Sequence, residues 1–111
     1  MREPYEILNP EGRFPGLIVV DHAGVDVPEG HALGLAPEWH GTHHFCDLGV
    51  EPLARMLAER LDAPVILGTV SRLVLDLNRW IADPRSILPE VEGVSIPGNK
   101  LSHAAREARQ D

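Results

Sequence analysis

A chain of 111 residues with 43% hydrophobic residues can close one modest core, so a single domain spanning residues 1–111 is expected. Lys and Arg total 10 against 17 Asp and Glu, a formal charge of −7, and no basic cluster is present. That balance argues against nucleic acid and anionic membranes as partners, and the sole cysteine, Cys46, excludes an intrachain disulfide.

The lead-in from Met1 to Pro15 is rich in Pro, Gly and charge, with a turn at Asn9-Pro10-Glu11-Gly12. It has no apolar leader, and no run approaches membrane length, so a soluble cytoplasmic protein is expected. Tyr5, Ile7 and Leu8 are its candidates for lying on the core. Leu17-Ile18-Val19-Val20 follows Pro15-Gly16 and reads as a buried strand. It stops at Asp21-His22-Ala23-Gly24, where small residues after His22 allow close approach of backbone or ligand. Val25 to Pro37 is a loop with a short helical turn at its end.

Trp39 to Asp47 then gathers His40, His43, His44, Cys46 and Asp47 in one short stretch. From Val50 the apolar positions Val50, Leu53, Ala54, Leu57, Ala58 and Leu61 recur at helical spacing. Pro52 fits the first turn of a helix starting near Leu48 or Gly49, Asp47 is the candidate N-cap or first-turn acid, and Asp62-Ala63-Pro64 ends the helix. Val65 to Val70 is the next strand. With the first strand and the helix it forms a βαβ crossover over a parallel sheet. Ser71-Arg72-Leu73-Val74-Leu75-Asp76-Leu77-Asn78-Arg79 reads as a further strand, apolar on both faces and ending in polar groups. Ile81 to Gly98 is loop-like, and a last helix from about Leu101 to Arg109 begins at Asn99 or Ser102.

A histidine next to an aspartate at a strand's carboxyl end can be a metal ligand, a general base or a simple hydrogen-bond partner. His22 stands in that position. His43, His44 and Asp47 resemble a second ligand cluster, or else loop residues with Asp47 capping the helix. Asp76 and Arg79 serve either a crevice at the sheet edge or a capping ion pair. Cys46, beside a carboxylate, reads as a small buried residue and not as a nucleophile. Neither a Walker A nor a G-x-G-x-x-G pattern occurs, which argues against nucleotide binding.

Four segments in register carry a family resemblance. Asp21-His22-Ala23-Gly24, His44-Phe45-Cys46-Asp47-Leu48-Gly49, Ser71 to Arg79, and Ile96-Pro97-Gly98-Asn99 together resemble the N-formylglutamate amidohydrolase family. The resemblance implies an α/β fold: a partial three-layer sandwich with a mainly parallel sheet, a truncated zinc-exopeptidase-like (phosphorylase/hydrolase-like) fold. It implies a metal-dependent hydrolase of N-formyl or other N-acyl amino acids, with Zn²⁺ as the divalent metal. His22 and Asp47 would be metal ligands, Arg72 would polarise the scissile carbonyl, and Asn78 with Arg79 would hold the substrate carboxylate. Two departures stand out: Val25 replaces the polar residue, commonly Asn, that the family usually shows, and the family continues through a second half. That half would bring a His-Ser-Phe-Thr-Pro type segment with another ligand, and the general base. The chain is therefore expected to be the N-terminal portion, its sheet left with an uncovered edge and apolar face. A missing C-terminal half or self-association through that sheet is the expected macromolecular partner. The alternative is a non-catalytic remnant that binds a small carboxylate or a partner chain.

Overall fold

Three short strands form the central sheet of the computed structural model, which describes residues 2–111. Met1, the first residue of the expected lead-in, lies outside the described residues. The strands are β1 (Tyr5–Leu8), β2 (Ile18–Val20) and β3 (Val65–Gly68), in the order β1-β3-β2. β2 and β3 pair in parallel, with Val19 opposite Ile66, and α1 (Val50–Arg60) connects them as the crossover. Both strands are rich in β-branched residues, which pack well on a pleated surface.

The sheet is mixed, not mainly parallel. β1, expected as lead-in, pairs antiparallel with β3, Ile7 opposite Ile66. Antiparallel edge strands on otherwise parallel sheets are common, since such an edge needs no crossover. Thr69 anchors the incoming chain, its N–H donating to Pro4 O (2.9 Å) and its hydroxyl to Glu3 O (2.7 Å).

Among the described residues only one face of this sheet carries a helix. Ala54 and Ala58 of α1 pack with Val20, Ala23, Val65 and Leu67, and Leu8, Ile18 and Val50 close the margin. Leu53 and Leu61 stay exposed, because three strands make too narrow a platform to cover the whole stripe. On the opposite face Ile7, Ile66 and Val19 form a row across the strands, with Ile7 and Val19 exposed. Among the described residues the partial three-layer sandwich has a helix layer on one side of the sheet, and Tyr5 and Ile7 lie outside the core.

α1 begins at Val50, and its N-cap is Gly49, whose φ of +81° favours a residue without Cβ. Asp47 is not its N-cap, because its carboxylate is turned toward other partners described below. The second helix, α2 (His103–Gln110), is capped by Ser102, whose hydroxyl accepts from Ala105 N–H (3.1 Å).

The stretch from Ser71 to Arg79 is a series of turns, not a strand. Its carbonyls are engaged elsewhere: Ser71 O accepts from Val74 N–H (2.9 Å), Leu73 O from Asn99 Nδ2 (2.8 Å), and Val74 O from Arg109 Nη1 (3.2 Å). Ser71 Oγ also accepts from Leu73 N–H (3.2 Å), a local bond that competes with a ladder. Leu73 and Val74 instead enter a second core with Leu33, Phe45, Val91 and Ile96. Val91 comes from a hairpin, β4 (Glu90–Val91) and β5 (Val94–Ser95), within a segment expected to be loop.

Candidate active site

Three backbone segments meet where β2 ends. The chain leaves β2 through Asp21 and His22 and passes against Thr69, where a Cβ on Gly24 would collide with the Thr69 backbone. Asp47 N–H donates to His22 O (2.8 Å), tying the segment before α1 to the end of β2. Ser71 Oγ donates to Phe45 O (2.7 Å), tying that segment to the turns that follow β3. These backbone ties bring residues distant in sequence to one place.

His22, 7% exposed, sits between two carboxylates. Its Nε2 lies 2.6 Å from Asp76 Oδ1 and its Nδ1 lies 3.4 Å from Asp47 Oδ2. Arg72 bridges the same two acids, with Nη1 donating to Asp47 Oδ1 (3.1 Å) and Nη2 to Asp76 Oδ2 (3.3 Å). Arg79 Nε stands 3.8 Å from Asp76 Oδ2, and Asn78 N–H donates to Asp76 Oδ1 (2.9 Å). Burial pushes the Asp76 carboxyl up, but the bonds from His22 and Asn78 and the charges of His22 and Arg72 outweigh it. The net effect holds Asp76 below the usual carboxylate range.

His22, Asp47 and Asn78 line one cleft of about 320 Å³, with Val19, Val20 and Leu57 among its apolar walls. That volume suits a small ligand. The five residues to which the family resemblance gives roles thus fall in one cluster: His22, Asp47 and Asn78 on the cleft, with Arg72 and Arg79 joined to them through Asp76 and Asp47. From the sequence, Asp76 is either a crevice residue or the capping ion-pair partner of Arg79. Its role as the centre of the cluster depends on His22, 54 positions away in sequence.

The other histidines go elsewhere. His43 and His44 pack ring to ring with centroids 4.0 Å apart, and His44 Nε2 lies 3.7 Å from Glu92 Oε1 in the β4–β5 turn. Cys46 is buried, and burial, aided by the Asp47 charge, raises its thiol above the ordinary value. Iodoacetamide is expected to label Cys46 far more slowly in the folded chain than in urea at pH 7. Equal labelling rates would contradict the burial.

Two small-cation ligands at about 2.0–2.1 Å in tetrahedral arrangement stand about 3.3 Å apart. The 3.4 Å between His22 Nδ1 and Asp47 Oδ2 fits two such donors. No group of three or more His, Cys, Asp or Glu suited to a metal occurs among the described residues. No helix among them is long and apolar enough to cross a membrane.

Residues 14–111 match the family described as N-formylglutamate amidohydrolase. The structure is also similar to the crystal structure of gene product Atu2144 from Agrobacterium tumefaciens, at 32% identity and a TM-score of 0.93. That match covers 98% of this chain and 44% of the other, so this chain spans less than half of that chain's length. No curated protein sequence matches the chain.

Proposed function

The chain belongs to the N-formylglutamate amidohydrolase family, and from that premise we propose that it carries one part of a metal-dependent site hydrolysing N-formyl or other N-acyl amino acids. The observation that carries this reading is the convergence of His22, Asp47, Arg72, Asn78 and Arg79 around the buried carboxylate of Asp76. We propose a zinc-exopeptidase-like fold, with the parallel pair β2–β3 and its crossover helix as the part that bears the site.

In this reading His22 and Asp47 hold a divalent cation, Zn²⁺ by the chemistry of an imidazole and a carboxylate donor. Such a cation would supply Lewis acidity and lower the pKa of a water molecule. Arg72, already held by two carboxylates, offers a guanidinium for the charge that develops on the scissile carbonyl oxygen. Arg79, more loosely held, pairs with the substrate carboxylate in a two-pronged geometry that Lys cannot copy, and Asn78 orients it from the cleft wall. Water is consumed, the C–N bond breaks, and formate and the free amino acid leave. A third protein ligand and a general base would reach this cleft from polypeptide outside the described residues. That proposal is supported by the count of donors and by the greater length of the similar structure.

Formate release from N-formylglutamate with added Zn²⁺, alongside elemental analysis for one Zn²⁺ per chain, tests the reading. Arg79→Ala is expected to weaken binding of N-formylglutamate roughly 100-fold, the cost of removing a charged partner from a carboxylate. Unchanged binding in that variant would remove the assigned clamp. A second reading, a non-catalytic protein binding a small carboxylate, is favoured by the two guanidiniums beside a site where the described residues supply only two suitable donors. A folded chain that binds N-formylglutamate yet takes up no Zn²⁺ would select it.

A further inference from the structure

We propose that this cleft takes N-acyl amino acids with an aliphatic side chain in preference to those whose side chain carries a second carboxylate, such as N-formylglutamate. The inference rests on the function proposed above and narrows its substrate class. Of the lining, His22, Asp47 and Asn78 are assigned to the cation and the substrate α-carboxylate, and Asp21 is the one other polar residue. Every remaining residue of the lining is aliphatic. β2, an edge strand, gives all three of its residues, and α1 adds Val50, Leu53, Ala54 and Leu57. Val19 and Leu53 are 62% and 49% exposed, so apolar surface stands open for a ligand to cover.

A substrate with two carboxylates needs a second cation, and the described residues place none in the cleft. None of the 10 Lys and Arg residues belongs to its lining. Arg79 is assigned to the α-carboxylate, and Arg72 is held by Asp47 and Asp76. Arg55, two residues past Leu53 on α1, is turned to Glu6 and Glu51. Arg60, three residues past Leu57, is outside the lining as well. The carboxylates that do line the cleft are Asp21 and Asp47. A side-chain carboxylate here would exchange its hydration for aliphatic walls and meet like charge, and both are costly. An aliphatic side chain meets neither penalty and gains apolar burial. One methylene in an apolar pocket is worth roughly 10- to 200-fold in selectivity.

Calorimetric titration of the chain with N-formyl-leucine, N-formylglutamine and N-formylglutamate reads the preference without turnover or added metal. N-Formyl-leucine is expected to bind at least ~10-fold more tightly than N-formylglutamate. N-Formylglutamine, of glutamate's length but uncharged, should fall between them. Arg79→Ala should weaken all three, because each keeps the α-carboxylate. Leucine binding that survives Arg79→Ala would lie outside the cleft and overturn the proposal. Leu53→Lys sets a cation on the cleft wall at a half-exposed position where Lys suits a helix. It should shrink the preference several-fold, and an unchanged preference in the folded variant would overturn the role of the wall. N-Formylglutamate binding the wild-type chain as tightly as N-formyl-leucine would overturn the preference and leave the proposed function standing. Binding of none of the three would overturn the proposed function and this inference with it.

Discussion

Replacing Phe45 with Ala is expected to lower the unfolding free energy by about 3–5 kcal/mol, the usual cost of deleting a fully buried aromatic side chain. Phe45 is 0% exposed and sits in the second core with Leu33, Leu73, Val74, Val91 and Ile96. The His40 ring stacks on it with centroids 4.5 Å apart. Domains of this size are stable by only about 5–15 kcal/mol, so the variant would be marginal. Urea unfolding followed by circular dichroism checks this. A midpoint shift equivalent to less than about 1 kcal/mol would mean that the second core contributes little. The site should fail with the core, because Phe45 O is the acceptor for Ser71 Oγ and Asp47 lies two residues further on.

His22→Ala is expected to cost about 3 kcal/mol, because it leaves the Asp76 carboxylate buried with one fewer partner. It also changes the response to acid. Asp76 is held below its unfolded value near pH 3.9, so its stabilisation is complete above that pH and is lost as pH falls through the folded value. Removing His22 deletes the strongest of the bonds that oppose burial. The folded value therefore rises, and acid unfolding of the variant should begin at a higher pH than that of the wild type. Coincident acid transitions would show that the His22–Asp76 pair adds nothing to stability. One bound Zn²⁺ per chain in the wild type and none in the variant would add support for His22 as a ligand.

Periodicity made the β2–α1–β3 unit legible, because helical and strand spacings are local properties of the chain. Val50 to Leu61 read as a helix from its apolar stripe, and α1 spans Val50–Arg60. The sequence offers Asn99 or Ser102 as the start of the last helix, and Ser102 is the residue that caps α2. The turns from Ser71 to Arg79 were misread as a strand for a physical reason. Alternating Leu and Val satisfy the strand pattern, but the ladder carbonyls are taken by Asn99 and Arg109, which arrive from later in the chain. β1 was missed as a strand because an edge strand with exposed Tyr5 and Ile7 carries little burial signal.

By itself the sequence determined which residue types stand at the ends of which elements: His22 after a strand, Asp47 before a helix, and Arg72, Asn78 and Arg79 in one segment. Motif order and spacing were enough to place the chain in its family. Only the tertiary structure decided that these groups share one buried carboxylate, that the sheet is mixed, and that one face is left without a helix. The reason is distance along the chain. Side-chain patterning records what each residue does for its own turn or strand, whereas the 2.6 Å contact of His22 with Asp76 joins positions 54 apart and exists only once the crossover has closed.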